Sequence, residues 1–143
     1  PYRSADEQQR SLTGDGSCAV DIGFLLISLF VCYDLRFANA FWERAADTDV
    51  YLVVANWPES RRDHWRTLLR ARAIENQAYV VGVNRVGEAA GLTYAGDSVI
   101  EDPSGEVLAE GVDHQEGVVI ADVDPGRVAE VRDAFRFLPD RRA

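Results

Sequence analysis

Between Ile22 and Tyr33 the chain runs apolar and uncharged, interrupted only by Gly23 and Ser28. The run is too short for a membrane-spanning helix, which needs about 20 such residues. Nor does it sit at the amino terminus behind a basic flank, as a secretory leader does. Apolar on both faces, it suits a strand covered on both sides. Two further runs, Val50–Val54 and the valine-rich Tyr79–Arg85, follow at intervals that leave room for a helix each. Strand, helix, strand, helix, strand is an α/β order.

Residues 1–17 are polar, with Ser, Thr, Gly and Asp crowded at 11–17, and read as a loop. Cys18–Ile22 and Leu25–Val31 read as strands. Asn39 is placed to cap a short helix reaching Ala46, and Asn56-Trp57-Pro58 turns the chain after the Val50 strand. Ser60, with Asp63 three residues later, resembles a capping box and opens a helix to about Gln77. Trp65, Leu68, Leu69, Arg72 and Asn76 share one stripe of that helix, and Ala71 and Ile74 lie on another. Such a helix is expected to pack on a sheet and to touch a second body. Val86–Leu92 reads as a Gly-rich loop. Tyr94–Glu101, Glu106–Glu110 and Gly117–Asp122 read as strands, the first two joined by the turn Asp102-Pro103-Ser104-Gly105. Asp124-Pro125 offers a cap and a first-position proline for a last helix, and residues 138–143 read as a frayed tail. Neither a repeat nor a linker divides the chain.

Composition removes several function classes. The 143 residues fit one unit of roughly 150. Hydrophobic residues at 47% and charged residues at 27% exclude a disordered chain. Fifteen basic against twenty-four acidic residues leave a net charge of −9, which opposes a nucleic-acid or membrane partner. All fifteen are arginine, and the chain contains neither lysine nor methionine. Opening at Pro1, it reads as part of a longer polypeptide. Two cysteines do not make a disulfide scaffold, a Cys18–Cys32 bridge is not expected, and the setting read from this is cytoplasmic.

Cys32 carries most of the chemical information. It ends a buried strand just before the polar turn Tyr33-Asp34-Leu35-Arg36, and sites in open α/β sheets collect beyond the carboxyl ends of strands. There the following N–H can face a developing oxyanion, and Arg36 would favour the thiolate. On position alone the residue is equally a small buried hydrophobe that ends a strand; Cys18, without such a context, reads as core packing. His64 and His114 are the only histidines, and neither makes a persuasive dyad with a thiol. No metal-ligand spacing, dinucleotide fingerprint or phosphate loop is present, so neither metal nor cofactor is expected. Arg61, Arg62, Arg66, Arg70 and Arg72 form a basic island. Arg62 and Arg66 read as a solvated face paired with residues such as Asp63 and Glu75, while Arg61 and Arg72 stay open between that and holding a carboxylate or a subunit contact.

Several segments then stand together in order and spacing: Val31-Cys32-Tyr33-Asp34-Leu35-Arg36-Phe37, Ala55-Asn56-Trp57-Pro58, His64-Trp65, and the run Leu69 to Gln77. Gly82-Val83-Asn84-Arg85-Val86-Gly87, Gly96-Asp97-Ser98 and Asp102-Pro103-Ser104-Gly105-Glu106 complete the series. The chain resembles the C-terminal half of a carbon–nitrogen hydrolase of the nitrilase superfamily, nearest the omega-amidase branch. That resemblance implies a four-layer α-β-β-α sandwich, of which residues 1–143 are the nucleophile-bearing half. It implies Cys32 as nucleophile and the Tyr33 backbone N–H as oxyanion donor, together with a glutamate and a lysine that lie upstream of anything present. Glu7, ahead of Gly14, matches a second glutamate that positions substrate. Asn56 and Trp57 match a pocket-wall loop, and Arg36 joins them. By themselves, Glu7 is equally an exposed loop acid, and Asn56-Trp57 a turn with a packed indole.

The resemblance implies an amidase that cleaves a small carboxylated amide, such as an α-keto acid ω-amide, through a cysteine thioester with release of ammonia. It also implies a homodimer with the Ser60–Gln77 helix near the contact. The competing expectation is a non-catalytic remnant or binding module lacking the Glu and Lys, and a weaker one is a Cys32–His64 thiol hydrolase. A half-sandwich would leave one sheet face bare, so this chain alone is expected to self-associate or to fold poorly.

Overall fold

The structure, a computed structural model, describes residues 18–141. Strands β1 (Cys18–Asp21) and β2 (Leu26–Val31) are followed by a 3-10 turn at Cys32–Arg36, helix α1 (Ala38–Trp42) and β3 (Val50–Ala55). A second 3-10 turn (Glu59–Arg61) leads into α2 (Arg62–Asn76), then β4 (Tyr79–Asn84), β5 (Val86–Ala89) and β6 (Leu92–Ala95). Strands β7 (Val99–Glu101) and β8 (Val107–Glu110) precede α3 (Pro125–Ala134) and a last 3-10 turn at Leu138–Asp140. Six strands form one sheet in the order β1-β2-β3-β4-β7-β8, and β5 and β6 pair separately. The central β2, β3 and β4 are parallel, while β1, β7 and β8 join antiparallel.

The parallel register decides which side chains share a face. Phe30, Tyr51, Val53 and Val80 point to one side and bury with Phe41 of α1 and with Trp65, Leu69 and Ala73 of α2. Ile27, Val50, Tyr79 and Val81 point to the other side, where Val128 of α3 covers the amino-terminal ends of the strands. Arg132 of α3 fixes that helix by donating to the carbonyls of Ala45 at 3.0 Å and Thr48 at 2.6 Å. Toward the carboxyl ends the same face stays uncovered among the described residues: Val31, Val54 and Val83 lie in one row across three strands and are 61%, 43% and 45% exposed.

Several expectations are corrected. Ser60 is not the helix cap, because Arg61 N–H donates to Pro58 O at 3.0 Å and the resulting 3-10 turn does the work of a cap. Asn39 falls inside α1 rather than before it, and that helix stops at Trp42. The stretch Val86–Leu92 is not a loop: β5 and β6 form a hairpin whose two turn residues, Ala90 and Gly91, both have positive φ, as a two-residue hairpin turn requires. Tyr94–Glu101 is broken in two at Gly96 and Asp97, again both left-handed. Gly117–Asp122 forms no strand; it pairs with no sheet edge among the described residues, and Val118 and Ile120 are 87% and 80% exposed. Cys18 is exposed on edge strand β1 rather than packed in the core, and both cysteines are free. The tail is held as far as Arg141, which donates to Asn76 Oδ1 at 3.1 Å. The final helix does begin as expected, with the Asp124 carboxylate accepting from Gly126 N–H at 2.8 Å.

Candidate active site

Because β2, β3 and β4 run parallel, the residues that follow them emerge along one edge of the sheet: Cys32, Asn56 and Arg85. Cys32 is half-buried against the main core and takes a left-handed φ of +44°. For a side chain with a Cβ this conformation costs on the order of 1–3 kcal/mol, and it persists only where its surroundings enforce it. Here the enforcement is visible. Val31 N–H donates to the Asp34 carboxylate at 2.9 Å, and Arg72 donates to Leu35 O at 2.7 Å from within the core. The chain therefore turns sharply from strand into the Cys32–Arg36 turn, whose first N–H groups, Tyr33 included, lack an acceptor within the turn.

Arg36 and Trp57 are in contact. The Arg36 guanidinium stacks on the Trp57 ring, 4.6 Å from its centre, and Trp57 is buried in the cluster that Cys32 touches. Asn56 is exposed and lines a neighbouring cavity of about 570 Å³ with Val83, Asn84, Arg85 and Gly96; Cys32 does not border that cavity. Glu7 lies outside the described residues. His64 is exposed on the first turn of α2 and makes no hydrogen bond to Cys32 among the described residues, while His114 lies 3.2 Å from Glu59. No cluster of three or more His, Cys, Asp or Glu suited to a metal occurs among the described residues, and none of their helices is long and apolar enough to cross a membrane.

The arginine island resolves into separate jobs. Arg62 and Arg66 converge not on Asp63 or Glu75 but on buried Asp97, which Arg62 reaches at 2.6 Å and 3.1 Å. These bonds hold the Arg62 guanidinium above its ordinary pKa, and Arg62 in turn holds exposed Asp113 below the usual carboxylate range. Buried Arg72 pairs with Glu75 at 2.7 Å and lies over Phe41, so it props the turn after Cys32 and is closed to a ligand. Arg61 accepts the Trp57 indole N–H on its carbonyl at 2.8 Å. Asp97 gives its own carbonyl to the Trp65 indole at 2.8 Å, and Trp65 packs on Trp57 with ring centres 5.6 Å apart.

One residue at this edge, Asn84, carries no role in the sequence reading. The available signal was an amide ending a run of valines, a polar group that must find partners once buried.

Comparison with known proteins gives a consistent result. A family model described as carbon-nitrogen hydrolase matches residues 1–133. Omega-amidase YafV of Escherichia coli (strain K12) is 43% identical over 136 residues, which cover 94% of this chain and 52% of that protein. The 2-oxoglutaramate amidase of Bacillus subtilis (strain 168) is 44% identical over 115 residues, 78% of this chain and 43% of that protein. In structure the chain superposes with a TM-score of 0.89 and 38% identity on XC1258 from Xanthomonas campestris, described as a CN-hydrolase superfamily protein with an arsenic adduct in its active site; the match covers 99% of this chain and 56% of that one. The chain thus spans about half the length of the curated relatives it matches.

Proposed function

This chain belongs to the carbon-nitrogen hydrolase family, and from that premise we propose that it is the nucleophile-bearing part of an amidase that cleaves small carboxylated amides, α-keto acid ω-amides among them. The observation that carries the reading is the left-handed Cys32 at the end of β2, braced by Asp34 and Arg72. Strain of this kind at a nucleophilic side chain is a feature of reaction centres. An arsenic adduct, as in the Xanthomonas relative, is also what a reactive thiol forms.

In this reading the Cys32 sulfur attacks the amide carbon and its proton passes to a general base. The carbonyl oxygen becomes an oxyanion facing the Tyr33 N–H. The C–N bond then breaks, ammonia leaves with the transferred proton, and water attacks the thioester, giving the carboxylate and restoring the thiol. The base and the lysine implied by the resemblance fall to chain beyond this sequence, which has no lysine; Glu7 keeps its role in positioning substrate. The same reading assigns Trp57 and Arg36 to the pocket wall through the core cluster that Cys32 touches, and Asn56 to it from the neighbouring cavity. A homodimer with α2 near its contact, and a cytoplasmic setting, belong to the same reading.

The test uses the full-length parent protein. With α-ketoglutaramate, Cys32→Ala is expected to lower ammonia release by at least about a thousandfold, the scale of losing a nucleophile, while the circular-dichroism spectrum is unchanged. Ammonia release at the parent rate would overturn the reading. A parent with no upstream Glu and Lys would favour the non-catalytic module.

A further inference from the structure

We propose that Asn84 is a positioning residue for Cys32, acting through Trp57 and Arg36; this rests on the hydrolase reading above. Asn84 ends β4 and is 9% exposed, so its amide must be satisfied by protein. Its Oδ1 accepts Trp57 N–H at 2.7 Å, and its Nδ2 donates to Trp57 O at 3.0 Å and to Gly96 O at 2.7 Å. Its backbone is fixed as well: Asn84 N–H donates to Ser98 Oγ at 3.0 Å, and the Ser98 hydroxyl donates back to Asn84 O at 3.2 Å. One amide thus clamps both main-chain polar groups of Trp57 and ties them to the break between β6 and β7.

The consequence reaches the thiol in two contacts. The clamped indole is the surface on which Arg36 stacks at 4.6 Å, and Arg36 ends the turn that Cys32 begins. Trp57 also shares the core cluster against which Cys32 packs. Without Asn84, the Trp57 N–H and carbonyl and the Gly96 carbonyl lose these partners, and the position of the ring that seats Arg36 is left to the Arg61 carbonyl and the packing on Trp65. The left-handed Cys32 then has less to enforce it. Misplacement of a reacting group by about 1 Å costs on the order of a hundredfold in rate.

The experiment compares Asn84→Ala and Asn84→Ser with Thr48→Val in the full-length protein. Thr48 is buried at the opposite end of the sheet, hydrogen-bonded to Ser28 Oγ at 2.7 Å, and controls for loss of stability alone. Three properties are read on folded protein: kcat and KM, the rate of Cys32 alkylation by iodoacetamide against pH, and tryptophan emission. Positioning predicts a fall in kcat of roughly ten- to a hundredfold with a much smaller change in KM. It also predicts an altered alkylation profile and shifted emission in both Asn84 variants, with all three unchanged in Thr48→Val. Should Asn84→Ala fail to fold, Asn84→Ser alone decides. Parent-like kcat and alkylation in a folded Asn84 variant would overturn the proposal, as would equal losses in Thr48→Val. A parent that releases no ammonia would sink the hydrolase reading instead, leaving alkylation and emission to report on Asn84.

Discussion

Glu101 shows how much a single side chain can pay for its place in this sheet. It pairs with Val80 across β4 and β7 and so shares the helix-covered face; it is 3% exposed, and its Oε2 has no hydrogen-bond partner among the described residues. Burial pushes its pKa up from 4.5 to about 7, with Arg70 pulling the other way and Asp102 adding to the rise. A carboxyl that is easier to protonate when folded binds more protons in the native state than in the unfolded one. Its contribution is therefore full below pH 4.5 and is lost as pH climbs toward 7. Glu101→Gln keeps the shape without the charge. Urea denaturation between pH 5 and 8 should show the parent losing stability across that window and the variant losing less, with a gap on the order of 2–3 kcal/mol at pH 8. Parallel pH profiles for the two proteins would refute this assignment of the titration.

At the scale of elements, the sheet and its helices meet most tightly where β4 passes under α2. Gly82 has ordinary strand geometry, so what demands glycine there is space. A Cβ would stand 2.4 Å from Leu69 Cδ1 and 3.0 Å from Trp65 Cζ2, and both side chains are fully buried. Gly82→Ala should cost about 1–3 kcal/mol in thermal or denaturant unfolding, and Leu69→Ala should cost less in that background than in the parent, since the cavity it leaves takes the new methyl. Strict additivity of the two would argue against the contact. These elements were legible from sequence because their causes are local: valine-rich runs for β3 and β4, the Trp65–Leu69–Arg72–Asn76 stripe for α2, Asp124-Pro125 for the start of α3. What escaped depends on partners far along the chain. Asn84 finds Trp57 across 27 residues and Asp97 finds Arg62 across 35, so neither pairing leaves a local pattern. Ser60 had the right chemistry for a cap and lost to the 3-10 turn after Pro58. Val118 and Ile120 alternate like a strand, yet alternation only states a preference for a sheet edge. Cys32 was readable as a strand-end thiol, while its left-handed φ was not.

At the scale of the whole molecule, the six-stranded sheet carries α1 and α2 over one face and α3 over part of the other. The row Val31, Val54, Val83 continues the apolar pattern of strands that the sequence marks as covered on both sides, and it lies open at the edge where Cys32 emerges. Soluble proteins seldom leave a contiguous apolar patch of this kind facing water, and the relatives are about twice as long as this chain. In residues 1–143 alone, the cheapest way to cover the row is another copy of itself. Sedimentation velocity should then show species heavier than the 15.9 kDa monomer, growing with concentration. Placing a charge in the row tests whether this face is responsible: Val54→Glu should shift the population to monomer, because a carboxylate cannot be buried between two apolar sheets without a partner. The same substitution in the full-length protein, where the row would be covered, should instead lower stability by several kcal/mol and leave its assembly state unchanged until it unfolds. A chain of residues 1–143 that sediments as a sharp monomer and melts cooperatively would mean that the row tolerates water, and that the second sheet is not needed to complete this one.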